Sequence, residues 1–173
     1  PDNVVFSESA TITIKPGTKI IFRGGTIQYS GAAMDFWNSA KIIAIGTKDS
    51  LITFKSDNFG IIRANINVLS TFQYCVFDDV SINGHADISH SQLINGSSVK
   101  QLSSANVSTI NTLKYSNVIN PKNGYFNQSL SAPNTQYNNY QGGASYVNIE
   151  DVSTAIKSNY INNGSTGFFH QNV

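Results

Sequence analysis

Apolar residues recur in runs only about four residues long, β-branched and mostly alternating with polar ones, and a turn former closes nearly every run. Thr11-Ile12-Thr13-Ile14 meets Pro16-Gly17, Lys19-Ile20-Ile21-Phe22 meets Gly24-Gly25, Thr26-Ile27-Gln28-Tyr29 follows, Lys41 to Ile45 meets Gly46, and Leu51-Ile52-Thr53-Phe54 comes next. Alternation at period two is the signature of a strand, whereas a helix needs apolar residues three and four apart. That helical spacing is nearly absent, so the chain is expected to be all-β, built from strands near the lower end of strand length.

Many short strands fit either an antiparallel sandwich or barrel, or a solenoid. Asn83-Gly84, Asn95-Gly96, Asn123-Gly124 and Asn163-Gly164 suit hairpin corners and leave both open. Repetition favours the solenoid. The phrase Cys75-Val76-Phe77-Asp78-Asp79 returns as Ser91-Gln92-Leu93-Ile94-Asn95, Ser116-Asn117-Val118-Ile119-Asn120 and Ser158-Asn159-Tyr160-Ile161-Asn162. Each reads small, polar, apolar, variable, then Asn or Asp. Stacked at strand spacing, roughly 4.8 Å, the small and apolar positions face inward and the amides line up at the bend. By the same alternation Ile12 and Ile14, Ile20 and Phe22, Ile43 and Ile45, and Ile52 and Phe54 are expected to point inward, with turns at Pro16-Gly17 and Gly46-Thr47.

Composition limits partners. The 173 residues suit one domain, in which 121–173 is a less regular C-terminal part or cap. Charged residues are 12%, Ser and Asn together about a quarter, and the formal charge is +1. No basic run marks a nucleic-acid or anionic-membrane surface, and the only arginines are Arg23 and Arg63. No stretch is apolar for the length of a membrane span. The chain lacks an initial Met and a signal-like segment and reads as a mature or trimmed form. Low charge with abundant Ser, Thr and Asn suits an extracytoplasmic protein. The single cysteine, Cys75, lies in the apolar FQYCVF and reads as a buried, inert thiol.

The N-terminal third resembles the opening coils of bacterial right-handed parallel β-helix surface and secreted proteins, many of them adhesin-like. The resemblance rests on Ile14-Lys15-Pro16-Gly17, Ile20-Ile21-Phe22, Ile43-Ala44-Ile45-Gly46-Thr47 and Ile52-Thr53-Phe54. Residues 70 to 120 follow a looser later-coil pattern, and the segment between Phe22 and Met34 is longer than the usual turn. The resemblance implies a single-stranded right-handed parallel β-helix located extracellularly or at the cell surface. It implies a structural or adhesive role, with polysaccharide or cell-surface glycan as partner.

Chemistry-bearing residues are sparse, and no catalytic set, metal or cofactor is expected. Asp78 and Asp79 with His85 in Asn83-Gly84-His85 resemble, in type, the paired acids and histidine of β-helical polygalacturonases, where two carboxylates flank the scissile bond. The spacing departs from that family and its Arg-Ile-Lys is missing, so a solvated bend is the favoured reading. A β-helical polysaccharide lyase would need acids spaced two apart for calcium and a basic residue beside a carboxylate, and no such acid cluster occurs; Asp57 and Arg63 flank one strand, and Asp78, Asp79 and Asp87 lie near one another in sequence, which leaves a weak cation site open there. A phage tail or spike fragment shares the same composition. For glycan contact the candidates are Trp37, Tyr29, Tyr137 and Tyr140, since aromatic faces stack on sugar rings. Burial of Trp37 against an end or under the inserted segment is the competing reading. His85 and His90 read as surface residues of bends, and His170 lies in the tail. The acceptor patterns at Asn95, Asn106, Asn127 and Asn163 are what chance yields in a chain so rich in Asn and Ser.

Overall fold

Strand follows strand because the β-branched runs favour pleated backbone and the residues between them break it. The computed structural model describes residues 3–23, 32–95, 97–100 and 112–119, together with the backbone of six short strands between 125 and 171. Among the described residues there is no helix. In chain order the strands are β1 (Asn3–Phe6), β2 (Thr11–Ile14), β3 (Lys19–Phe22), β4 (Ala33–Phe36), β5 (Lys41–Ile45), β6 (Ile52–Arg63) and β7 (Ser70–Gln73). Then come β8 (Cys75–Asn83), β9 (Ala86–Ser89), β10 (Gln92–Ile94), β11 (Ser98–Lys100), β12 (Thr112–Lys114) and β13 (Asn117–Ile119). The last six are β14 (Tyr125–Gln128), β15 (Thr135–Gln136), β16 (Asn139–Gln141), β17 (Tyr146–Ile149), β18 (Asn159–Ile161) and β19 (Phe168–Gln171).

Every pairing between these strands is parallel. A first ladder joins β3, β6, β8, β10, β13, β16 and β18. A second joins β2, β5, β7, β9, β12 and β15. A third joins β1, β4, the far half of β6, the far half of β8, and β11. β14 lies beside β11 and leads the ladder β14, β17, β19. β6 and β8 serve two ladders because each bends. The register of β6 is irregular between Lys55 and Gly60, and β8 turns at Asp79, whose φ is 58°. From β1 to β13 the chain visits third, second and first ladder in strict rotation.

Registers decide which face is buried. Ile14, Ala44, Phe72, Ile88 and Leu113 share one row, and all but Ile14 are buried. Ile20, Phe54, Phe77 and Leu93 share another, and Met34, Ile62, Ile82 and Val99 a third. The Phe54 and Phe77 rings stack at 5.2 Å with Phe72 set edge-on to both. The expectation for Ile52, Phe54 and Phe22 holds, since all three are buried, and Ile12, Ile14 and Ile20 pack against the core. For β5 the expected parity is reversed. Ile42 and Ala44 are fully buried while Ile45 is 45% exposed. β5 itself carries apolar residues on both faces, and its parity is set by the neighbour: Ile42 pairs with Ile12 and Ala44 with Ile14.

The four repeated phrases do share one register, Val76, Gln92, Asn117 and Asn159 standing in a single row. One further strand stands between the third and fourth, because Asn139 of β16 pairs with both Asn117 and Asn159. At the expected amide column the described positions are Asp79 and Asn95, which both take left-handed φ at the bend, 58° and 52°. Asn120 and Asn162 lie outside the described residues. Asn95 donates across to Asp78 Oδ1 at 2.8 Å rather than to Asp79.

Candidate functional site

In the three phrases whose opening residue is described, Cys75, Ser91 and Ser116, that small residue is a hydrogen-bonding device. Ser91 Oγ accepts from the Cys75 N–H (3.1 Å) and donates to the Ser89 carbonyl (2.7 Å). Ser116 Oγ repeats this one strand on, accepting from the Ser91 N–H (3.2 Å) and donating to Lys114 O (2.8 Å). At the start of the other ladders Ser70 Oγ accepts from Ile42 N and Ser97 Oγ from Val80 N. All four serines are buried. A bend turns one backbone N–H inward, away from the ladder, and a short hydroxyl is the smallest side chain that satisfies it. Part of the serine content is therefore interior, not the solvated surface that composition suggests. Cys75 occupies the same position, its thiol 3.4 Å from the carbonyls of Ala44 and Gln73, and burial pushes that thiol up to about 12. A protonated, buried thiol is a poor nucleophile.

Immediately before these positions stand Tyr74, His90 and Tyr115, with φ of 51°, 50° and 52°. Their rings stack, Tyr74 on His90 at 4.9 Å and His90 on Tyr115 at 5.1 Å. Left-handed backbone costs a bulky residue on the order of 1 kcal/mol or more, and ring stacking worth about 0.5 to 1.5 kcal/mol a pair offsets part of it. The sequence reading missed this row; the residue that precedes each repeated phrase, aromatic in three of the four occurrences, was its signal. Because each inner ring face is covered by a neighbour, the row offers mainly ring edges to a ligand.

The predicted acids stand apart from the predicted histidine. Asp78 pairs with Lys55 Nζ at 2.8 Å and accepts from Asn95. The hydrogen bond to Asp78, reinforced by its charge, holds the Lys55 ammonium above its usual range. Asp79 is buried at the bend between the first and third ladders. His85 follows the far end of β8, whose strand Val80 to Asn83 spans roughly 13 Å of extended backbone. Gly84 beside it has φ of 120° and lies so close to Ala64 that a Cβ would sit 2.0 Å from the Ala64 oxygen. This bend is held by Ala64 N–H to Asn83 O (2.7 Å) and Ser70 N–H to His85 O (3.0 Å).

Trp37 occupies the corresponding bend after β4. Its N–H donates to Phe6 O, Asn38 beside it takes a φ of 54°, and the side chain is 57% exposed. The register Asp35 to Arg63 to Asn83 closes the paired strands, and Trp37, Asn65 and His85 each stand two residues past it, on the bends that follow. Asn65 donates to the Asn38 carbonyl and accepts from Asn67 N–H at 2.8 Å. Just before the bend, buried Asp35 accepts from Arg63 at 2.8 Å and from Asn3 at 3.4 Å. The corner therefore presents an open indole beside amides and an ion pair. Tyr29 and Tyr137 lie outside the described residues. Tyr140 takes the register position of Val118, in the row of buried Phe77 and Leu93. No group of three or more His, Cys, Asp or Glu fit for a metal occurs among the described residues, and no described helix is long and apolar enough to cross a membrane. No protein-family model, curated protein or solved structure matches the chain.

Proposed function

We propose that the chain is a right-handed parallel β-helix module of a secreted or cell-surface bacterial protein. It acts as a rigid, non-catalytic scaffold whose Trp37 corner contacts carbohydrate. The observation that carries this reading is the strict rotation of the chain through three wholly parallel ladders. Right-handedness follows from the near-universal hand of parallel crossover connections. The strands inside each ladder are paired on both edges without hairpins, so charged flanks are dispensable there, in keeping with the 12% of charged residues. An exposed indole among amides suits a neutral sugar ring, whose C–H face stacks on the aromatic while its hydroxyls meet amide donors and acceptors.

A glycan array followed by titration of the Trp37 fluorescence tests the adhesive part. A binding glycan shifts the emission of this sole tryptophan, and Trp37→Ala abolishes binding while leaving the melting temperature near that of the parent. Binding that survives Trp37→Ala refutes the corner as the contact, and release of reducing or unsaturated sugar ends refutes the non-catalytic reading. Small-angle scattering tests the architecture, a rod of constant cross-section being expected.

A further inference from the structure

Among the described residues, seven besides glycine take left-handed φ. Asn38, Asp79 and Asn95 are of types that tolerate it, and Tyr74, His90 and Tyr115 gain ring stacking in return. Glu8, with φ of 63°, has neither reason. It is exposed, and its carboxylate makes no hydrogen bond or ion pair with the described residues. Strained backbone kept without a structural return points to a side chain held for function. The bend that carries Glu8 stacks on the bend of Trp37. β1 pairs with β4 and β2 with β5 at one offset of thirty positions, Asn3 with Ala33 and Thr11 with Lys41. Between these strands Trp37 N–H donates to Phe6 O and Ser39 N–H to Glu8 O, both at 2.8 Å, and Asn38 repeats the left-handed φ of Glu8 at 54°. Glu8 therefore lies across from Asn38, one strand spacing, roughly 4.8 Å, from the bend that holds the open indole.

The other charges here are engaged or farther off. Arg63 pairs with buried Asp35, and Lys41 stands three positions past Asn38, on β5. A carboxylate beside an indole, among the Asn38 amide and the exposed Ser7, Ser9 and Ser39, fits a ligand that has an apolar C–H face, hydroxyls and a positive charge. The indole face attracts the same cation. We propose that the sugar taken by this corner is an amino sugar, its ring stacked on Trp37 and its protonated amine paired with Glu8. The inference rests on the reading of Trp37 as the glycan contact and adds a charge preference to it. The stacked ring remains uncharged, and the ammonium is a substituent on it.

Identically linked oligomers of glucose, N-acetylglucosamine and glucosamine differ only in one substituent, which is hydroxyl, acetamide or ammonium. Titrating Trp37 emission with each, in a mildly acidic buffer of low salt, tests the proposal. The glucosamine oligomer is expected to bind about twofold to fivefold more tightly than the other two, the gain that an exposed ion pair gives, and high salt reduces that gain. Glu8→Gln brings the glucosamine oligomer down to the affinity of the glucose oligomer and leaves the latter unchanged. Its melting temperature stays near that of the parent, because the replaced side chain is exposed. Equal or tighter binding of the glucose or acetylated oligomer overturns this inference while the Trp37 contact stands. A preference for glucosamine that survives Glu8→Gln overturns it in the same way. Failure of the glucosamine oligomer to bind overturns it too, and a silent glycan array removes the Trp37 contact along with it.

Discussion

Replacing Ser91 by alanine isolates the serine device. The Ser91 hydroxyl holds the Cys75 N–H at 3.1 Å and reaches Ser89 O at 2.7 Å, in a position only 1% exposed. Alanine keeps the backbone and most of the volume but leaves a buried donor without its acceptor, which costs about 1 to 3 kcal/mol. For a chain of this size that is a fall of about 2 to 12 °C in melting temperature. Urea denaturation reads the same quantity as a lower midpoint at unchanged slope. Ser9→Ala, on an exposed turn, is the control and stays within about 0.5 kcal/mol. Ser91→Cys falls between, because Cys75 already fills the equivalent position. Since the Ser91 N–H donates to Ser116 Oγ, the double replacement with Ser116→Ala departs from the sum of the singles. A Ser91→Ala protein as stable as its parent, within the error set by Ser9→Ala, would falsify the claim that these hydroxyls satisfy the bends.

Cys75→Ser is expected to lie within about 1 kcal/mol of the parent at neutral pH, a hydroxyl serving the same carbonyls. The Cys75 thiol is raised from 9.0 to about 12, so its contribution is whole below pH 9. As pH climbs from 9 to 12 the unfolded chain loses this proton first, and stability falls by roughly 1.4 kcal/mol per pH unit. The Cys75→Ser protein lacks that increment, and equal alkaline slopes in the two proteins would refute the assignment. Gly84→Ala, which drives a Cβ against Ala64 O at φ 120°, is expected to cost about 3 kcal/mol or more; chemical denaturation measures it. Arg63→Ala strands the buried Asp35 carboxylate and costs on the order of 2 to 3 kcal/mol, the exposure of Arg63 reducing the full penalty. Lys55→Ala at the more open pair with Asp78 is expected to matter far less than Arg63→Ala, and the reverse order in denaturation midpoints would contradict the burial argument.

Much of the fold was legible because it is local. Ile52 and Phe54 alternate with polar Thr53, and that alternation alone fixes their burial. The repeated small-polar-apolar phrase carried the register of the first ladder, because the serine that opens it must meet a backbone N–H one strand away. β5 was not legible from its own residues. With apolar side chains at Ile42, Ile43 and Ile45, its inner face is chosen by Ile12 and Ile14, thirty positions earlier. The strand β16 escaped because its opening position holds Asn138 where the others hold Ser or Cys. The site was less visible still. Asp78, Asp79 and His85 are neighbours in sequence, but an extended strand carries the histidine to another bend. Trp37 and Asn65, far apart in sequence, come to one corner only through the pairing of β4 with β6. Nothing local reveals that Tyr74, His90 and Tyr115 stack.

The interval from a residue to its ladder partner varies from one part of the chain to another: Thr11 to Lys41, Ser70 to Ala86, Thr112 back to Asp87. The serine contacts and apolar rows are kept while the connecting lengths differ. Such a chain is free to lengthen, shorten or redecorate one bend at a time, so its contacts with the outside can diverge quickly while the packed interior scarcely changes.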